Sequence, residues 1–119
     1  MPKILVIIPT YNESENILKL IPEILKFSDR ENSFDILVID DNSPDGTARL
    51  VEELQNPSVH ILKREKKLGL GTAYVKGFKY AIENNYNYVF EMDADFSHDP
   101  KYIPDFISKI SEGYDLVVG

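Results

Sequence analysis

Short unbroken apolar runs alternate along this chain with longer stretches whose apolar positions recur at helical spacing. Lys3, Ile4, Leu5, Val6, Ile7 and Ile8 form a compact, β-branched run ended by Pro9. Such a run predicts a strand buried on both faces, as in a parallel sheet. Ile17, Leu18, Leu20, Ile21, Ile24, Leu25 and Phe27 then follow at helical spacing, with Asn12 or Ser14 placed to cap the start. Pro22 lies inside that pattern and is expected to bend or interrupt the helix.

The alternation continues. Residues 34–40 predict a second strand, followed by the turn-rich Asp41, Asn42, Ser43, Pro44, Asp45 and Gly46. A helix carrying Ala48, Leu50, Val51 and Leu54 is expected to run to about residues 56–57. Residues 59–62 predict a third strand, and residues 63–71 a charged, then glycine-rich loop. Residues 72–84 predict a helix with Ala73, Val75, Phe78, Ala81 and Ile82 inward. Residues 88–92 predict a fourth strand, residues 100–112 a helix broken or begun anew near Pro104, and residues 116–118 a fifth strand. Strand and helix at this rhythm imply crossover units: a Rossmann-like α/β fold, mostly parallel, with helices on both faces. A strand reaching almost to Gly119 leads to the expectation of a domain that continues past it.

Bulk composition narrows the function classes. The 119 residues fit one domain with a real core, and 43% hydrophobic with 28% charged residues is ordinary for a soluble protein. There is no cysteine, which excludes disulfides and cysteine metal sites. Thirteen basic against twenty acidic residues, a net charge of −7, argue against nucleic-acid partners. A single nucleotide is not excluded, because a metal can neutralise a diphosphate without a basic surface. Neither a secretory signal nor a membrane-length apolar run is evident, so the expected location is the cytoplasm or the cytosolic face of a membrane.

Open α/β sheets bind ligands outside the carboxyl ends of their strands. After the first strand stand Pro9, Thr10, Tyr11, Asn12 and Glu13; after the second, Asp40 and Asp41; after the third, residues 63–71; after the fourth, Asp93 and Asp95. Positions i and i+2 of a strand point the same way, so Asp93 and Asp95 are expected to project together. Two carboxylates so close repel unless a cation lies between them, and hard ions such as Mg2+ or Mn2+ accept such oxygens and then hold phosphates. An acidic turn is the other reading of that pair. Asp40 is suited to accept from a base N–H, Tyr11 to pack on a base or ribose, and Glu13 either to accept from ribose or to complement a helix dipole. Asn42, Ser43 and Asp45 read as turn and capping residues. The Leu68, Gly69, Leu70, Gly71 stretch permits close backbone approach to a ligand, although it lacks a full dinucleotide fingerprint. Of Lys63, Arg64, Lys66 and Lys67, at least half are expected to be solvated loop charges rather than phosphate contacts. His98 is either a ligand or a solvent-facing loop residue, and His60 reads as structural.

Taken together, IIPTYNE (residues 7–13), IDDNSPDGT (39–47), KLGLGTAY (67–74) and MDADFSHDP (92–100) resemble family 2 glycosyltransferases of the GT-A fold. The branch they resemble most is that of the dolichyl-phosphate or polyprenol-phosphate mannosyltransferases. The resemblance implies that Pro9, Tyr11, Glu13, Gly69, Asp93 and Ala94 line the nucleotide site and that Asp40 recognises the base. It implies that Asp93 and Asp95, as a DxD motif, are catalytic and metal-holding, with Ser97 a further metal contact. It also implies transfer of mannose from GDP-mannose to a polyprenol phosphate, with inversion, by a protein associated peripherally with a membrane. DLVVG (115–119) matches the point where such enzymes pass into their acceptor half. Residues 1–119 are therefore expected to be the nucleotide-sugar-binding portion, without transferase activity alone.

Other classes fit less well. A sugar-1-phosphate nucleotidyltransferase needs a glycine-rich basic loop after the first strand, where this chain has PTYNE. A receiver-type signalling domain needs its acidic pair at that same place. A family 2 enzyme with another donor such as UDP-glucose, or a non-catalytic nucleotide-binding module, remains compatible with the residues.

Overall fold

The computed structural model describes residues 3–28, 33–65, 70–92 and 117–118. The elements are β1 (Lys3–Thr10), α1 (Ser14–Leu25), β2 (Ser33–Asp40), α2 (Thr47–Glu53), β3 (Val59–Lys63), α3 (Leu70–Glu83), β4 (Tyr88–Glu91) and β5 (Val117–Val118). They build one sheet in the order β3-β2-β1-β4-β5, with every described pairing parallel. The expected helix over residues 100–112 lies outside the described residues.

The crossovers step outward from β1 through β2 to β3, then reverse to place β4 on β1's other side. A crossover hand kept constant through such a reversal sends the later helix to the opposite face. Two separate cores follow. Ile4, Val6 and Ile8 of β1 meet Ile17, Leu20, Ile21 and Ile24 of α1 and Val51 of α2. Leu5 and Ile7, with Leu37 and Ile39 of β2, meet Ala73 and Ala81 of α3. Residues 4–8 and 36–39 are thus covered on both sides, which is why these strands read as unbroken apolar runs.

Several local expectations are corrected. Pro9 does not end β1, which continues to Thr10 in register with Asp40. Pro9 shares Ile7's direction along the strand, and Ile7 accepts the last described β4 amide, that of Met92, at 3.0 Å. The amide that proline lacks therefore faces beyond that last rung and costs no described ladder bond. Pro22 does not interrupt α1 either; it lies on the exposed side, and its own carbonyl accepts from Lys26 N–H at 3.1 Å. Leu18 lies on that outer side at 36% exposure rather than inward. α2 ends at Glu53, short of residues 56–57, because Gln55 takes a left-handed φ of 50° and Leu54 turns out to solvent.

α3 begins at Leu70 rather than Thr72, and of the positions expected inward Ala73, Phe78 and Ala81 are, while Val75 and Ile82 are not. Its seam is Ala73, Gly77 and Ala81, flanked by half-buried Tyr74, Phe78 and Tyr80, while Val75 and Ile82 are 54% and 77% exposed. Small residues at i, i+4 and i+8 let the helix axis approach β1 closely. A Cβ built on Gly77 would meet Ile7 Cδ1 at 2.5 Å.

Candidate functional site at the carboxyl edge of the sheet

Register aligns the strand ends. Thr10 pairs with Asp40, and Asp40 with Lys63, so the ends of β1, β2 and β3 form one straight rim. Main-chain bonds carry the ladder one step past it: Asp41 N–H donates to Thr10 O at 3.1 Å, and Arg64 N–H to Asp40 O at 2.8 Å. Met92 sits on the same edge through its bond to Ile7.

Asp40, with 1% of its surface exposed, anchors this rim. Its Oδ1 accepts from Thr10 Oγ1 at 2.7 Å and Ser43 Oγ at 2.6 Å, and its Oδ2 accepts from Ser43 N–H at 3.0 Å. Three donors make burial of the carboxylate tolerable. Next to it, Asp41 forms a two-pronged pair with Arg64: Nε to Oδ1 at 2.5 Å and Nη2 to Oδ2 at 2.7 Å. Arg64 Nη1 also donates to Thr72 Oγ1 at 2.8 Å, tying the first turns of α3 to the rim. Arg64 is 6% exposed, so it is not one of the solvated loop charges. Lys63 is ion-paired with Glu52 at the surface.

The loops after β1 and β2 interlock. Asn12 N–H donates to Ser43 Oγ at 2.9 Å, Glu13 N–H to Thr47 Oγ1 at 3.2 Å and Ser14 N–H to Asp45 Oδ2 at 3.2 Å. In return Asp45 N–H donates to Asn12 Oδ1 at 3.4 Å. The cap of α1 therefore comes from the loop after β2, not from Asn12 or Ser14; Glu13 is the N-cap and makes no side-chain cap bond. Asp45 also receives Thr47 N–H at 3.1 Å and Thr47 Oγ1 at 2.5 Å, the local capping role expected of it. Burial pushes its carboxyl pKa up, but the bonds from Thr47 and Ser14 outweigh this and hold it below the ordinary value.

Of the residues singled out from sequence, Pro9, Tyr11, Glu13 and Asp40 stand together on this rim. Tyr11 is 40% exposed, and Glu13 accepts from Asn16 Nδ2 at 3.2 Å. Gly69, Asp93, Ala94, Asp95, Ser97 and His98 lie outside the described residues. Among the described residues no group of three or more His, Cys, Asp or Glu side chains is placed to hold a metal. An open cavity of about 270 Å³ lies against the start of α1, but Glu13, Glu15 and Asp45 line it, and their charge disfavours a bare diphosphate. Thr47 and Thr72 are rim residues that the sequence does not single out, whereas Thr10 enters only by its place after the first strand and Arg64 only as one of the loop cations. Of Thr47 and Thr72, the first has a usable signal, its place after Asp45 and Gly46 at a helix start. His60 is structural as expected, half-buried beside Asp35 and the Tyr80 ring.

Residues 5–119 match the sequence profile of Glycosyl transferase family 2. The chain belongs to that family. Within it, the undecaprenyl-phosphate mannosyltransferase of Micrococcus luteus is 41% identical over 119 residues, covering 98% of this chain and 47% of the relative. The polyprenol monophosphomannose synthase of Mycolicibacterium smegmatis is 42% identical over 118 residues, covering 97% and 43%. The chain thus spans less than half the length of these relatives. Among solved structures, S. aureus TarS 1-349 in complex with UDP-GlcNAc aligns with a TM-score of 0.74 at 28% identity, covering 92% of this chain and 31% of that one. Mannosyltransferase PcManGT from Pyrobaculum calidifontis, in complex with GDP-Man and Mn2+, aligns with a TM-score of 0.60 at 26% identity, covering 67% and 24%. The family 2 sheet, with its parallel order and two helical layers, is the fold expected from the apolar pattern.

Proposed function

We propose that residues 1–119 are the nucleotide-sugar-binding portion of a family 2 enzyme that transfers mannose from GDP-mannose to the phosphate of a polyprenol, inverting the anomeric centre with a divalent cation. The observation that carries this reading is 41–42% identity, over 97–98% of the chain, to a polyprenyl-phosphate mannosyltransferase and a polyprenol monophosphomannose synthase. The acceptor is assigned to the whole protein at a membrane surface; no helix among the described residues is long and apolar enough to cross one.

Pro9, Tyr11 and Glu13 line the nucleoside side of the site, where the exposed Tyr11 ring offers a packing surface. Asp40 spends three of a carboxylate's four acceptor positions inside the protein, so base recognition through it rests on the remaining one at Oδ2. Gly69 and Ala94 are assigned to the same nucleotide site on the strength of the motif resemblance. Asp93 directly follows Met92, whose amide closes the last described β4 bond to Ile7 O near the carboxyl end of the sheet. Asp93, Asp95 and Ser97 are the residues that hold Mg2+ or Mn2+; carboxylate and hydroxyl oxygens suit hard cations, and Mn2+ accompanies GDP-Man in PcManGT. Such an ion supplies positive charge to the diphosphate as it leaves. The acceptor phosphate is already ionised near neutral pH, so these residues need only bind and orient the donor.

A UDP-sugar donor is the second reading, favoured by the fuller alignment with TarS and its UDP-GlcNAc. Calorimetric titration with GDP, UDP, GDP-mannose and UDP-glucose, with and without Mn2+, separates the two. Metal-dependent preference for guanine nucleotides supports the first, and preference for uracil supports the second. No binding under any condition rejects donor binding itself.

A further inference from the structure

Asp45 does more than begin its own helix. A local cap needs only the bonds from Thr47 to Oδ1, yet Oδ2 accepts from Ser14 N–H, 31 residues earlier, at the start of α1. Thr47 continues the chain of bonds: its hydroxyl donates to Asp45 Oδ1 and accepts from Glu13 N–H. Asn12, held between Ser43 Oγ and Asp45 N–H, takes a left-handed φ of 55°. Asparagine tolerates this backbone better than most residues, and here its amide and side chain are both bonded in it. Three successive amides at the end of β1 are therefore fixed by side chains of the β2–α2 loop, and the exposed Tyr11 ring immediately precedes them.

We propose that Asp45 and Thr47 are positioning residues for the nucleotide site: through the amides of residues 12–14 they set where Tyr11 and Glu13 stand. The inference rests on the donor-binding reading above. It separates these two residues from those that touch the ligand, because neither side chain needs to reach it. Thr47 is completely buried, and Asp45 spends its carboxylate on Ser14 and Thr47. The lowered carboxyl pKa of Asp45 agrees, since the same bonds that fix the loop favour its charged form.

The test uses the chain with Thr47→Val, Thr47→Ser and Asp45→Ala, each read by residue-resolved hydrogen exchange and by titration with GDP and UDP in the presence of Mn2+. Thr47→Val is isosteric and removes only the hydroxyl. It is expected to speed exchange at the Glu13 amide about tenfold and weaken nucleotide binding by a similar factor, the equivalent of one ordinary hydrogen bond. Residues 36–38 in the sheet should stay protected, and Thr47→Ser should restore both readouts. Asp45→Ala, at an exposed position, should loosen the Ser14 amide in the same way. Unchanged exchange at residues 12–14 would overturn the inference, as would faster exchange with unaltered affinity. Failure of the unmutated chain to bind either nucleotide would instead reject the donor-binding reading, and the positioning role with it.

Discussion

Asp41 and Arg64, 23 residues apart in the chain, meet through two parallel hydrogen bonds of 2.5 and 2.7 Å. Both side chains are almost fully buried, at 9% and 3% exposure. The pair joins the loop after β2 to the loop after β3, and the third Arg64 bond extends the join to α3 through Thr72. Removing either side chain takes from a buried charge the two-pronged counter-charge that offsets its desolvation. Arg64→Ala is therefore expected to destabilise the chain by about 3–5 kcal/mol, measured as a lower urea midpoint with unchanged slope. Arg64→Lys keeps the charge but loses the planar fork, and should recover only part of that loss.

Asp40 offers a second test on the same rim. Asp40→Asn preserves shape but turns one acceptor oxygen into a donor, facing either two hydroxyl donors or the Ser43 amide. At least one bond must fail or reverse, so a loss of about 1–3 kcal/mol is expected, the cost of an unsatisfied buried group. Binding of any nucleoside diphosphate should weaken along with it, read by the same titration.

Gly77→Ala should destabilise the fold although alanine is the better helix former by about 1 kcal/mol. The new methyl would fall 2.5 Å from Ile7 Cδ1 and 2.9 Å from both Cγ atoms. Those Cγ atoms sit next to a β-branched centre in the middle of β1 and have little room to move. Overpacking of this kind costs about 1–3 kcal/mol. Adding Ile7→Val removes the nearest atom and should return part of the loss, so the two changes will not be additive in a thermal or urea melt.

Tyr86 donates its hydroxyl to Asp35 Oδ2 at 2.6 Å, at the opposite edge of the sheet. Burial first, then this bond and the charge of Asp35, raise its phenol pKa well above the ordinary tyrosine range. Tyr80 is raised too, by burial first and then by the field of Asp35. A raised native pKa means that the folded chain retains protons the unfolded chain has lost. The contribution is present in full below about pH 10, the ordinary tyrosine value, and disappears as pH rises beyond it. Tyr86→Phe should cost about 1.5 kcal/mol at neutral pH and flatten the alkaline decline in stability.

Asp45 runs the other way. Its lowered pKa contributes stability above the unfolded value, about pH 4, that fades as pH falls through the native one. The stability gap between the wild type and Asp45→Asn should therefore be constant above about pH 5 and close at more acid pH, as followed by chemical denaturation across that range.

β1 and β2 were readable because each is covered on both faces, so residues 4–8 and 36–39 carry no polar interruption. The helices were readable as helices, and α1 in phase through Ile17, Leu20, Ile21 and Ile24. In α3, Ala73 and Ala81 face inward as expected, on a seam that Gly77 completes, but Val75 and Ile82, seven apart, share a side that points outward. The rim was legible as a place but not as a circuit. Asp40, Asp41 and Asp45 look alike in a list of turn residues, and only register decides which is buried, which is ion-paired and which caps a distant helix. Arg64 looked like one of a run of loop cations because its partner Asp41 lies 23 residues away, in the loop after another strand. The family profile and the four quoted motifs agree over almost the whole chain, while the acidic pair 93 and 95 remains a reading of sequence.

The strand order β3-β2-β1-β4-β5 carries a consequence for how the molecule assembles. β1, β2 and β3 are joined by short local crossovers, whereas Ile4 of β1 must wait for Tyr88 before β4 can add to it. Closing so long an interval has a larger entropic penalty and slows the step. On a ribosome the first three strands, with the Asp40 cluster and the α1 cap, emerge before β4. The part of the rim built around Asp40 should thus mature as an early kinetic unit, with β4 adding to it afterwards.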